Sequence, residues 1–116
     1  MTVGKIAEIL DAEVIIGEDK LDTEVNSACG CDMMSDVLAY VKHQAVLLTG
    51  LVNPQVVRTA EMMDMRCIVF VRGKRPGEDI VKLAADKDIV VLTTTHRMFT
   101  SCGLLYSSGL KGGGVG

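Results

Sequence analysis

Cations, hydroxyls and glycines recur in this chain at the ends of apolar runs, a spacing that suits the binding of an anion. Thr49-Gly50 follows the run Ala45–Leu48, with Asn53-Pro54 just beyond. Arg72-Gly73-Lys74-Arg75 follows Cys67–Val71, and Thr93-Thr94-Thr95-His96 follows Ile89–Leu92. A guanidinium grips a phosphate or carboxylate with two parallel N–H donors, and a lysine ammonium adds a point charge. Threonine hydroxyls can donate to phosphate oxygens. Gly50 and Gly73 let backbone amides come close to a ligand, and the amides behind Asn53 open at a helix N-terminus. Each feature also has a plain structural use. Asn53 caps a helix, Gly50 serves a turn, the basic loop is solvated, and three β-branched threonines prolong a strand.

Groups able to break or form bonds are scarce around these segments. His96 near a helix N-terminus is expected to be neutral, because the dipole disfavours its cation, and the sequence places no nucleophile or carboxylate partner beside it. His43 is expected to be exposed between a helix and a strand. Paired carboxylates of the kind that acid–base hydrolysis uses are not evident. Gly73-Lys74 is followed by Arg75 and lacks the earlier glycine of a phosphate-binding P-loop, and no G-x-G-x-x-G fingerprint occurs. Cys29-Gly30-Cys31 has one intervening residue where zinc sites use two to four, and there is no second pair. The cysteines therefore read as small buried residues. No catalytic residue, metal or cofactor is expected.

The elements that must position these groups follow from periodicity. Thr2 can cap a helix reaching about Leu10, with Ile6, Ile9 and Leu10 on one face. Glu13–Ile16 reads as a strand closed by Gly17, the charged stretch Glu18–Glu24 as a loop, and Val25–Ala28 as a weak strand. Cys29-Gly30-Cys31 reads as a tight connection. Asp32, or else Ser35, can cap a helix through about Val41. Asn53 and Pro54 open a helix to Met65, Pro76 opens another with Glu78 and Asp79 in its first turn, and Thr95 caps the last. The three apolar runs are strands, each followed by a helix. That order implies parallel strands whose tails leave one edge of one sheet, where open α/β sheets bind ligands.

The chain has 116 residues, 48% of them apolar but only 3% aromatic, so its core is aliphatic, as a helix-covered parallel sheet prefers. The expectation is one α/β domain in three layers, with a mainly parallel sheet of about five strands and helices on both faces. It spans residues 1–110, with a flexible glycine-rich tail over 111–116. There is no Trp, few aromatic stacking platforms exist, and the net charge is −3, all of which argue against nucleic acid as a partner. No run approaches the length of a membrane span and no signal peptide is visible, so a cytoplasmic location is expected. The seven methionines are spaced as core fillers or as a protein-binding surface, and a homodimer is expected.

The segments Leu47–Gln55, Val69–Gly73, Leu92–Thr94 and Phe99–Tyr106 together resemble the DRTGG domain family. The resemblance covers about residues 3–108. It implies a small α/β domain, found alone or joined to modules such as CBS domains or a phosphate acetyltransferase. Its fold is similar to that of the N-terminal, non-catalytic domain of HPr kinase/phosphorylase. The kinase's catalytic domain has no counterpart here, so the resemblance implies a regulatory module. The functional expectation is a non-catalytic sensor of a small phosphate-bearing metabolite or nucleotide. Thr49, Gly50, Asn53, Arg72, Gly73, Lys74, Arg75, Thr93, Thr94 and Thr95 would hold the ligand. The alternative is a protein–protein adaptor acting through its methionine-rich helices.

Overall fold

Successive side chains of the central strands enter two separate cores, which is why these strands read as unbroken apolar runs. In the computed structural model, which describes residues 1–40 and 44–112, the strands are β1 (Glu13–Ile16), β2 (Ser27–Gly30), β3 (Ala45–Thr49), β4 (Cys67–Phe70) and β5 (Val90–Thr93). The helices are α1 (Val3–Leu10), α2 (Met34–Tyr40), α3 (Pro54–Met62), α4 (Glu78–Asp86) and α5 (Met98–Ser107), with a 3-10 turn at Glu18–Lys20. The five strands form one sheet in the order β1-β5-β4-β3-β2. β2, β3, β4 and β5 are parallel neighbours, and β1 joins β5 antiparallel.

Three crossovers carry the chain from β2 to β5, each one step in the same direction. Right-handed crossover then places α2, α3 and α4 on a single face. Ala45, Leu47, Ile68, Phe70 and Val91 pack there with Val37, Val56, Ala60 and Ile80. The alternate residues Val46, Leu48, Cys67, Val69, Val90 and Leu92 meet Val3, Ile6 and Leu10 of α1 and Leu105 of α5 on the other face. The sequence-based expectation of a mainly parallel, three-layer α/β sheet holds.

Local chemistry sets the helix starts. The Thr2 hydroxyl accepts from the Lys5 amide at 3.1 Å, and Asn53 Oδ1 accepts from the Gln55 amide at 2.8 Å, with Pro54 in the first turn. Three starts differ from expectation. α4 begins at Glu78, two residues beyond Pro76. α5 begins at Met98 with Arg97 in the cap position, so Thr95 is not its cap. The His96 carbonyl accepts from the Arg72 amide at 2.7 Å, which holds the chain extended past Thr95 before it can coil. α2 begins at Met34, and Asp32 turns its carboxylate away toward β3. The weak strand expected at Val25 begins instead at Ser27, because the Val25 amide bonds the Met1 carbonyl at 2.7 Å.

Gly30, expected in a tight connection, ends β2. A Cβ there would lie 2.6 Å from Cys102 Sγ and 3.1 Å from Met98 Sδ, so the bare Cα is what lets α5 close on the sheet. β2 is an edge strand, and its outward-facing Ala28 amide bonds the Lys111 carbonyl at 2.9 Å. His43 and the last four residues of the expected tail, 113–116, lie outside the described residues. No helix among the described residues is long and apolar enough to cross a membrane.

Two substitutions test this packing. Gly30→Ala should destabilise the domain by about 1–3 kcal/mol through overpacking. Cys102→Ala in the same chain should recover most of that loss in urea denaturation, because the clash is chiefly with Sγ. Ser101 is fully buried and its hydroxyl has no hydrogen-bond partner among the described residues. Ser101→Ala should therefore leave the melting temperature unchanged or raise it, whereas a drop of several degrees would mean that the hydroxyl has a partner.

Candidate functional site

The three expected tails do leave the same edge. Thr49, Phe70 and Thr93 stand in register on β3, β4 and β5, so the segments that follow start level with one another. The exits of β4 and β5 then stay bonded. The Arg72 amide donates to the His96 carbonyl at 2.7 Å, the Gly73 amide to the Thr94 carbonyl at 2.8 Å, and the Thr93 hydroxyl to the Lys74 carbonyl at 2.6 Å. Thr94 is buried, donating to the Leu10 carbonyl at 2.7 Å and accepting from the His96 amide at 3.3 Å. Thr93 and Thr94 thus hold the edge together. Thr95 is exposed, at the rim.

The basic loop does not act as one cluster. Arg75 reaches across β5 to β1 and forms a two-pronged pair with Glu13, at 3.0 and 2.9 Å. Hydrogen bonding and charge from Arg75 hold the Glu13 carboxyl below its usual range, and both groups are exposed. Arg72 and Lys74 are exposed and make no ion pair among the described residues. Arg58 stays apart from the carboxylates on its own helix and the following turn. Glu61 pairs with Lys87 at 3.0 Å, and Asp64 with Arg66 at 3.2 Å. Those four residues, with Asp88, which pairs with Lys20 at 3.7 Å, line a depression at the opposite, amino edge of the sheet.

Arg72 occupies the left-handed region at φ 61°, and Gly73 follows at φ 69°. The Lys74 amide bonds the Val71 carbonyl at 3.2 Å, closing a mirror-image turn over these two residues. Glycine accepts that conformation at no steric cost, but arginine pays about 1–2 kcal/mol for it. The turn brings the Arg72 side chain back over β3. A Cβ added to Gly50 would lie 3.2 Å from one terminal nitrogen of the Arg72 guanidinium and 3.8 Å from its central carbon. Gly50 therefore gives its space to Arg72.

Asp32, a residue the sequence reading took for a cap, completes the group. Its Oδ1 accepts from the Thr49 hydroxyl at 2.9 Å and from the Gly50 amide at 2.8 Å. Thr49 is fully buried, and its oxygen accepts in turn from the Leu51 amide at 3.1 Å. Two of the donors expected to face a phosphate, the Thr49 hydroxyl and the Gly50 amide, are thus engaged by the chain's own carboxylate. Asp32 lies just beyond the end of β2, after Cys31, and β2 neighbours β3, so knowing that the two strands pair would have revealed it. The structure joins Asp32, Thr49, Gly50 and Arg72, with Lys74 close along the chain and Asn53 at the start of α3. It separates Arg75 from them.

Burial disfavours the thiolate form of three cysteines. Burial pushes the Cys67 thiol up to about 12 and, with smaller charge effects from Cys31, Cys102 and Asp36, the Cys29 thiol up to about 11. Burial raises Cys102 as well. Among the described residues, no group of three or more His, Cys, Asp or Glu side chains is arranged to hold a metal ion.

Comparison with known proteins gives a family. The model of the DRTGG domain matches residues 5–108. No curated protein matches the chain. Among solved structures, the chain is similar to the CBS and DRTGG domains of the regulatory region of Clostridium perfringens pyrophosphatase, a structure complexed with the activator diadenosine tetraphosphate. The identity is 20%, the TM-score 0.72, and the match covers 92% of this chain but 46% of that one. The chain therefore spans less than half the length of the solved protein, and the likeness is one of fold. With the family match extending from within α1 to the end of α5, the chain belongs to the DRTGG domain family.

Proposed function

We propose that this domain, over residues 1–110, is a non-catalytic regulatory module that binds a small phosphate-bearing metabolite or nucleotide at the carboxyl edge of its sheet. One observation carries the reading: Arg72 keeps a left-handed backbone, and its guanidinium lies on Gly50 with no ion-pair partner among the described residues. Backbone strain of this kind persists where surrounding structure holds it, and it concentrates at binding sites. Arg72 and Lys74 would neutralise phosphate, the start of α3 behind Asn53 would add amide donors, and Thr95 would contribute a hydroxyl at the rim. Thr49 and Gly50 would act through the floor they build, and Thr93 and Thr94 through the bonded loops above it. Arg75, held by Glu13, would brace its loop from outside. The solved relative supports a nucleotide as ligand, since its regulatory region carries diadenosine tetraphosphate.

Exposed methionines favour a second reading, that of a protein–protein adaptor or homodimer. Met62 is 73% exposed and Met33 61%, whereas Met34 and Met65 are buried in the core. The methionine-rich surface is thus smaller than the sequence suggested.

Calorimetric titration with nucleotides and acyl phosphates separates the two readings. Binding tighter than about 1 mM supports the sensor, and its absence across the panel removes it. Arg72→Gly should weaken binding at least about tenfold while the melting temperature holds or rises, because glycine relieves the left-handed strain. Arg75→Ala should change affinity less than about twofold. The adaptor reading instead expects Met62→Asp to abolish self-association or partner capture in a chain that still folds, without effect on small-ligand titrations.

A further inference from the structure

We infer that Asp32 selects the ligand's chemistry: the site takes a phosphate compound bearing neighbouring hydroxyls, as a nucleotide's ribose does, and disfavours bare polyphosphates and acyl phosphates. The inference rests on the anion-binding reading above and sharpens it. Asp32 Oδ1 is fixed by two donors, the Thr49 hydroxyl and the Gly50 amide. The other oxygen, Oδ2, has no hydrogen-bond partner among the described residues, and the residue is exposed. The anchor is itself rigid, because the buried Thr49 oxygen also accepts from the Leu51 amide. Both Asp32 and the Arg72 guanidinium border Gly50, one bonded to its amide and the other covering its Cα. A ligand beside Gly50 therefore has a fixed acceptor and a fork of donors within reach of the same residue.

A carboxylate accepts hydrogen bonds and cannot donate them. Next to a phosphate oxygen it repels, but next to a hydroxyl it accepts a charge-assisted bond. Discrimination is strong where a built polar group would be left unpaired by the wrong ligand, and stronger where like charge opposes it. Joining β2 to β3 needs only the one acceptor, Oδ1, which an asparagine would supply equally. The negative charge and second acceptor exceed what that structural role requires.

Titrations of the whole chain with ATP, 2′,3′-dideoxy-ATP, ribose 5-phosphate and inorganic tripolyphosphate test the inference. ATP should bind at least about tenfold tighter than dideoxy-ATP or tripolyphosphate. Ribose 5-phosphate, which carries both groups, should bind measurably, and its failure to bind where ATP binds would count against the inference. Asp32→Asn keeps Oδ1 as an acceptor while removing the charge and the second acceptor. It should weaken ATP, strengthen tripolyphosphate, and bring ATP and its dideoxy analogue to within about threefold. Should Asp32→Asn fold poorly, the ATP and dideoxy-ATP comparison in the unaltered chain decides alone. Equal affinities for ATP, dideoxy-ATP and tripolyphosphate, each lost in Arg72→Gly, would overturn the role of Asp32 and leave the anion site standing. No binding by any of the four would overturn both.

Discussion

The hydrogen-bond ladder between β3, β4 and β5 does not stop where the strands stop, and the edge of this domain depends on that continuation. The Val71 amide still bonds the Thr49 carbonyl at 3.0 Å, and the Thr94 amide the Phe70 carbonyl at 3.0 Å. Only then does the chain turn at Arg72 and Gly73, whose amides are taken by the following segment of β5. A turn anchored on both sides can hold an arginine at positive φ, which a free loop would relax. The direction of the guanidinium, and with it the character of the edge, comes from backbone bonds.

Electrostatics divides a basic loop into parts with different work. Three cations within four residues would repel one another if they faced one hollow. Glu13 on the antiparallel β1 draws Arg75 outward, and Asp32, like Arg72, borders Gly50. The edge is thus not uniformly positive. It presents donors and an acceptor around the same residue, Gly50. The amino edge, where Glu61, Asp64, Arg66 and Lys87 pair among themselves, offers no such imbalance.

Family membership and local physics agree on the scaffold, and two glycines set how closely its parts approach. Gly30 admits α5 to within sulfur contact of β2, and Gly50 admits Arg72 to β3. Both glycines act through the absence of a Cβ, not through backbone conformation, since neither has a positive φ. The sequence reading left Gly50 either a turn or a ligand's approach; in the structure it is the protein's own Arg72 that lies against it.

Much was legible from residues alone, because it is local. Continuous apolar runs of four or five residues announced strands buried on both faces, and their alternation with helices announced parallel pairing. Thr2 and Asn53 announced their caps through hydrogen bonds spanning two or three residues. Strand order was not legible, because pairing is a contest among long-range contacts that one chain's periodicity does not encode. Everything that hangs on strand order was hidden with it. Asp32 meets Thr49 across 17 residues, Arg75 meets Glu13 across 62, and Thr94 meets Leu10 across 84. The amino acids by themselves determined which groups would stand at one edge of the sheet. Only the tertiary structure decided which of them face each other, because a hydrogen bond reaches about 3 Å and only packing brings distant segments that near.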